Sequence, residues 1–167
     1  MYDPATAVRG VEAVAAALPE HPALLAALAA IQPIARDAKF DRGELTLTVS
    51  REDIIPALEA IKSAGYNFLM DVTAVDWYPS EPRFQVTYHI LSHALKSKVR
   101  VIVLLNSTDA AIDSVTPVWP SANFYEREIF DLMGIHFGGH PNLIRIMMPT
   151  DWVGHPLRKD YPVEGYR

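Results

Sequence analysis

Three histidines, His136, His140 and His155, share the stretch from Glu126 to Tyr161 with Arg127, Glu128, Asp131, Arg145, Asp151, Arg158, Lys159 and Asp160. Such residue types serve several chemistries. His136 and His140, four apart, would aim two imidazoles at one metal ion if they lay on a helix, with His155, Asp131 or Asp151 completing a borderline ligand set for a metal-dependent hydrolase. Gly138, Gly139 and Pro141 break any such helix, and HExxH is absent. The competing reading is that these imidazoles donate to backbone carbonyls or sit in an interface. Glu126, Glu128 and Asp131 carry the carboxylates that acid–base catalysis needs. Set against that are a solvated helix face and ion pairing with a partner. Ser92-His93 and Ser121 lack a GxSxG elbow, which speaks against a serine hydrolase.

The LRKDYP end offers the Arg158 fork, the Lys159 point charge and the Asp160 acceptor on backbone stiffened by Pro156. Trp152, Tyr161, Pro162 and Tyr166 accompany them, and such aromatic or rigid groups anchor interfaces. A long segment with little regular structure is stable only when it lies against its own domain or another chain. The stretch therefore reads as contact chemistry rather than turnover chemistry.

The elements that must position it are legible from periodicity. Residues 7 to 31 suggest two short alanine-rich helices broken around Pro19 to Pro22. KFDRGELTLTV is a hairpin turning at Asp41-Arg42-Gly43, and a helix capped by Ser50 carries Ile54, Ile55, Leu58 and Ile61 inward before stopping near Gly65. Three strands follow, in YNFLMDVTAVDW, RFQVTYHILSH and SKVRVIVLLN, and the last, apolar on both faces, belongs in the centre. A further helix starts near Ser121 or Asn123, with Asn123 and Glu126 fitting a capping-box variant, Arg127 and Asp131 able to pair, and Gly134 as its stop. The expected fold is α+β: a small two-layer domain with a mixed or antiparallel sheet, flanking helices and a long irregular C-terminal segment. Residues 1–118 form the scaffold, and residues 119–167 a short helix plus an extended partner-binding segment of the same domain.

Composition narrows the function classes. With 167 residues, 50% hydrophobic and 21% charged, the chain is long enough for a real core. A net charge of -5 opposes nonspecific attachment to nucleic acid or an anionic bilayer. The absence of cysteine removes disulfides, thiolate zinc sites and cysteine-held iron–sulfur clusters, so in redox chemistry another chain would carry the clusters. No nucleotide-binding glycine loop is present. MYDPATAVRG does not read as a secretory signal, and the apolar runs fall short of the ~20 residues that span a bilayer.

ANFYEREIFDLMGIHFGGHPNLIRIMMPTDWVGHPLRKDYP resembles the signature of the C-subunit family of proton-translocating NADH:quinone oxidoreductase, respiratory complex I. The family pattern runs ERE, two residues, D, an apolar pair and glycine. Upstream, FLMDVTAVDW, YHILSH, VRVIVLLN and SVTPVWPSA resemble its sheet and the approach to its helix, whereas residues 1 to 35 give no match. Glu126, Arg127, Glu128, Asp131, His140, Pro141, Arg145, Pro156, Arg158, Lys159, Asp160 and Tyr161 fall on the motif. Ile144 replaces a basic residue and Phe124 a tryptophan common among relatives, so ionic contacts at 144 do not carry over.

The resemblance implies a cofactor-free structural and assembly component without catalytic residues. It would pack against the D-subunit, which forms the quinone site, and against the iron–sulfur subunits, on the cytoplasmic face of a bacterial inner membrane, touching the membrane only through the complex. FMN, iron–sulfur clusters and quinone would reside in the partners. A related component of a membrane-bound hydrogenase complex is the alternative within the same architecture.

Overall fold

The computed structural model of the chain describes residues 7–165, so Tyr166 lies outside the described residues. The chain divides into two compact units. One comprises the described residues up to Met70 with Tyr88–Val103, the other Asp71–Thr87 with the described residues from Leu104 on.

In the first unit, β1 (Val8–Arg9), helix α1 (Val11–Ala17) and helix α2 (Pro22–Ile31) precede the hairpin of β2 (Ala35–Asp41) and β3 (Glu44–Val49), then helix α3 (Ile54–Ser63). The hairpin register runs from Asp41 opposite Glu44 back to Ala35 opposite Val49, across the expected turn. Gly43 at φ 78 supplies the left-handed backbone that the turn requires. Helix α3 buries Ile54, Ala57, Leu58 and Ile61, while Ile55 is only partly covered. Ser50 supplies no cap to the backbone, because its hydroxyl donates to Asp53 Oδ2 at 2.6 Å.

β4 (Phe68–Asp76), β5 (Phe84–Ser92) and β6 (Ser97–Leu105) complete a six-stranded mixed sheet in the order β1-β2-β3-β6-β5-β4. β3 and β6 run parallel, from Leu45 opposite Val99 to Val49 opposite Val103, which is possible because a helix and two strands intervene in the chain. β6 is central, as its apolar run requires. Val99, Val101, Val103 and Leu105 are buried on one face, whereas Leu104 on the other is 43% exposed.

The second unit adds a two-stranded parallel ribbon, β7 (Ala111–Asp113) with β8 (His136–Gly138), and helix α4 (Ala122–Met133). Its core includes Val72, Phe84, Val86, Ile112, Val115, Ala122, Ile129, Ile135 and Phe137. Beyond Gly138 the described chain has no further helix or strand.

Candidate functional site

The motif residues assemble around α4, and the geometry begins at its C-terminal end. A helix leaves its last carbonyls without intrahelical donors and concentrates negative potential there. Here each carbonyl finds a donor. Phe130 O accepts from Gly134 N at 3.0 Å, and Leu132 O from Leu157 N at 3.0 Å. Asp131 O accepts from His155 Nδ1 at 2.9 Å and Arg145 Nη1 at 3.3 Å. Arg158 Nε donates to Met133 O at 2.6 Å and its Nη2 to Gly134 O at 3.3 Å.

Gly134 makes this possible twice over. Its φ of 71 ends the helix in the left-handed region. A Cβ there would also lie 2.5 Å from the His155 ring and 2.7 Å from Arg158 Nη2. Burial, the chief cause, and the neighbouring Arg158 and Arg145 charges hold the His155 pKa below its ordinary range, against the pull of its bond to Asp131 O.

Asp131 is fully buried. Its Oδ2 accepts three consecutive backbone N–H groups, from Ile146 (2.9 Å), Met147 (2.7 Å) and Met148 (2.9 Å), while Oδ1 pairs with Arg145 Nη1 at 2.7 Å. Burial opposes its ionisation, but the N–H donors and the guanidinium outweigh burial and keep the pKa below the usual carboxylate value. Arg145 also donates to Gly154 O at 3.1 Å. One carboxylate thus organises the irregular segment that follows β8.

The expected Arg127–Asp131 pair does not form. Asp131 turns inward to Arg145, and Arg127 donates instead to Ile144 O at 3.1 Å, with its guanidinium over the Phe124 ring at 5.8 Å. Glu128, expected to share a face with Asp131, is exposed.

Glu126, also fully buried, is no capping-box residue, because α4 already begins at Ala122. It accepts from Ser114 Oγ at 2.6 Å and Val115 N at 2.7 Å. Burial dominates these two donors and pushes its pKa up to about 7. His140 Nε2 lies 3.9 Å from Glu126 Oε2. Both ring nitrogens of His140 are already committed: Nδ1 accepts from Asn142 N at 3.0 Å, so Nε2–H is the donor to Asn123 O at 3.2 Å.

Sequence reasoning misses a second cluster. Arg83, 7% exposed, donates to Asp76 from Nε (2.9 Å) and Nη2 (2.8 Å), and to Asp160 from Nη1 (2.9 Å) and Nη2 (2.6 Å). Asp76 further accepts from Tyr78 N at 3.0 Å and Lys159 N at 2.8 Å. Burial opposes ionisation of Asp76, yet Arg83 and the two N–H groups bring its pKa down to about 2. The two acids raise the pKa of Arg83 above its ordinary value, chiefly through hydrogen bonds. Asp160 is likewise lowered by Arg83. The only signal for it is an acid closing one strand of a hairpin and an arginine preceding the next.

The histidines do not converge. His136 is exposed on β8, while His140 and His155 are bonded to backbone. Among the described residues no group of three or more His, Asp or Glu is arranged to hold a metal ion. Arg145, Arg158 and Asp160, expected to meet counterparts on a neighbour, find them within this chain. Tyr161 OH donates to Val153 O at 3.4 Å, Pro156 is half-buried, and Pro141 and the Lys159 side chain are exposed. The segment exposes several large apolar side chains, Ile144 (51%), Met147 (61%), Val153 (64%), Leu157 (52%) and Val163 (105%), beside the exposed charged residues Asp151, Lys159 and Glu164. No helix among the described residues is long and apolar enough to cross a membrane.

Fold and contacts together define an α+β protein whose polar motif fastens a long irregular tail to the end of one helix. Residues 47–167 match the family of the 30 kDa subunit of respiratory-chain NADH dehydrogenase. The chain is 52% identical over 125 residues to the NADH-quinone oxidoreductase C-subunit of Citrifermentans bemidjiense, covering 74% of this chain and 78% of that relative. To the C-subunit of Roseiflexus castenholzii it is 41% identical over 148 residues, covering 86% and 85%. Among solved structures it resembles a trypsin-resistant fragment of Nqo5, with a TM-score of 0.57 and 36% identity, covering 60% of this chain and 83% of that one. It also resembles a chain of an archaeal membrane-bound sulfane sulfur reductase, with a TM-score of 0.65 and 25% identity, covering 81% and 82%. The chain belongs to the C-subunit family of NADH-quinone oxidoreductase, respiratory complex I.

Proposed function

We propose that this chain is a non-catalytic, cofactor-free structural component of the peripheral arm of a proton-translocating NADH:quinone oxidoreductase. It holds the quinone-site D-subunit and the iron–sulfur subunits in place on the cytoplasmic side of the membrane, while FMN, clusters and quinone lie in those partners. Residues 119–167 are the holding segment. The observation that carries this reading is how the tail divides its side chains between inward bonds and exposed apolar groups. Arg145, Arg158 and Asp160 bond inward, and Ile144, Met147, Val153, Leu157 and Val163 face outward. Several large exposed apolar side chains on a segment tied down by its own polar groups support a protein contact.

The test is complex yield against turnover. Arg158→Ala, which frees the tail, and Met147→Lys, which alters only an exposed side chain, should both lower the amount of assembled complex while turnover per assembled complex stays near wild type. Normal assembly with lost turnover would overturn the reading. The likeness to the sulfane sulfur reductase chain supports a second reading, in which the same scaffold serves a related membrane complex with another electron donor, such as a hydrogenase. Genes encoding a hydrogenase-type large subunit beside this one would favour it.

A further inference from the structure

The proposed assembly role accounts for the tail but not for the other side of α4. β4 closes the six-stranded sheet and, among the described residues, has no strand on its outer edge. Alternate N–H and C=O groups of an edge strand point away from the sheet, and proteins guard such edges with charged side chains, especially lysine, with proline, with very short strands or with a covering helix or loop. β4 has nine residues, FLMDVTAVD, with neither lysine nor proline. Beside its Asp71-to-Ala74 stretch runs a groove of about 280 Å³, walled by α4.

The groove has a definite chemistry. Its lining is mixed, with Val72, Ile129, Leu132 and Leu157 apolar and Asp71 and Glu128 standing on it as carboxylates. No lysine or arginine lines it, and neither carboxylate has a hydrogen bond or ion pair among the described residues. An open strand edge supplies main-chain affinity, and two unanswered acids select for positive charge. A second copy of the chain fits poorly, because pairing β4 with β4 would bring these same acids together.

We propose that β4 from Asp71 to Ala74 receives an extended segment of a neighbouring subunit, added as a further strand, whose lysine or arginine side chains meet Asp71 and Glu128. The proposal rests on the assembly reading above and adds a second contact surface to it. Its occupant is a basic, extended peptide segment; the groove adjoins the apolar tail at Leu157, whereas Val163 lies outside its lining.

A benzophenone amino acid placed at exposed Thr73, and in a separate strain at Val163, in the full-length chain within the native complex, tests both surfaces. On irradiation, Thr73 should give an adduct with a partner peptide of alternating side chains that includes lysine or arginine. The double substitution Asp71→Lys, Glu128→Lys should reduce that adduct by about tenfold or more and leave the Val163 adduct unchanged. A Val163 adduct without one at Thr73 overturns the groove proposal and spares the assembly reading. A Thr73 adduct to a second copy, to an acidic or helical peptide, or insensitive to charge reversal overturns it as well. Absence of adducts at both positions overturns the assembly reading, and this proposal with it.

Discussion

Glu126 and Asp131 are both fully buried acids on one helix, five residues apart, yet their environments push them in opposite directions. The region around Asp131 supplies three backbone N–H groups and a guanidinium, so the carboxylate stays charged and knits the tail to α4. The region around Glu126 supplies one hydroxyl and one N–H, so burial wins and the pKa rises to about 7. Burial alone therefore does not set the state of a buried acid. The number and charge of its donors decide.

The largest effect that sharpens this contrast is expected from Asp131→Asn. It removes the counter-charge of Arg145, which keeps only its carbonyl acceptors, and presents an amide to N–H donors, which should destabilise the chain by about 3–5 kcal/mol in urea unfolding. A loss comparable to a surface substitution would mean that the tail is tied elsewhere. Gly134→Ala comes next, at about 2–3 kcal/mol, because it forces a Cβ into left-handed backbone and against His155 and Arg158. Tail amides should lose protection in this variant before those of β6 do.

The third effect depends on pH. Folded Glu126 keeps its proton up to about 7, whereas unfolded it releases one near 4.5. Stability from this group is therefore fullest below about 4.5 and is lost as pH rises towards 7. Glu126→Gln, permanently neutral, should match wild type near pH 4, below the unfolded value, and exceed it near pH 8 by about 1–3 kcal/mol in chemical denaturation. Asp131 has the opposite sign. Its folded pKa is depressed, so its contribution is present above 3.8 and fades as pH falls through the lower folded value. A Glu126→Gln difference that did not grow with pH would erase the distinction between the two acids.

Strand and helix periods are legible in the sequence because they are local. The hairpin at Arg42-Gly43, the central placement of VRVIVLL and the Gly134 stop all follow from spacing and backbone preference. The wiring of the site is not, because it joins distant positions. Nothing near Asp131 announces that its donors lie at 145–148, and the local i, i+4 partner Arg127 is the natural but incorrect choice. The union of Asp76, Arg83 and Asp160 spans 77 positions between arginine and second acid and is equally hidden. The pattern picks out the motif residues; that most of their polar atoms face inward emerges only in three dimensions.

The central claim is that this chain orders its own tail through Asp131 and the α4 carbonyls before any partner arrives. Amide hydrogen exchange on the isolated full-length protein measures it directly at Ile146, Met147, Met148 and Leu157. Protection of these four amides comparable to that of α4, lost in Asp131→Asn, is the expected result. Free exchange in the isolated chain, with protection gained only in the assembled complex, would contradict it and assign the ordering of the tail to the partner.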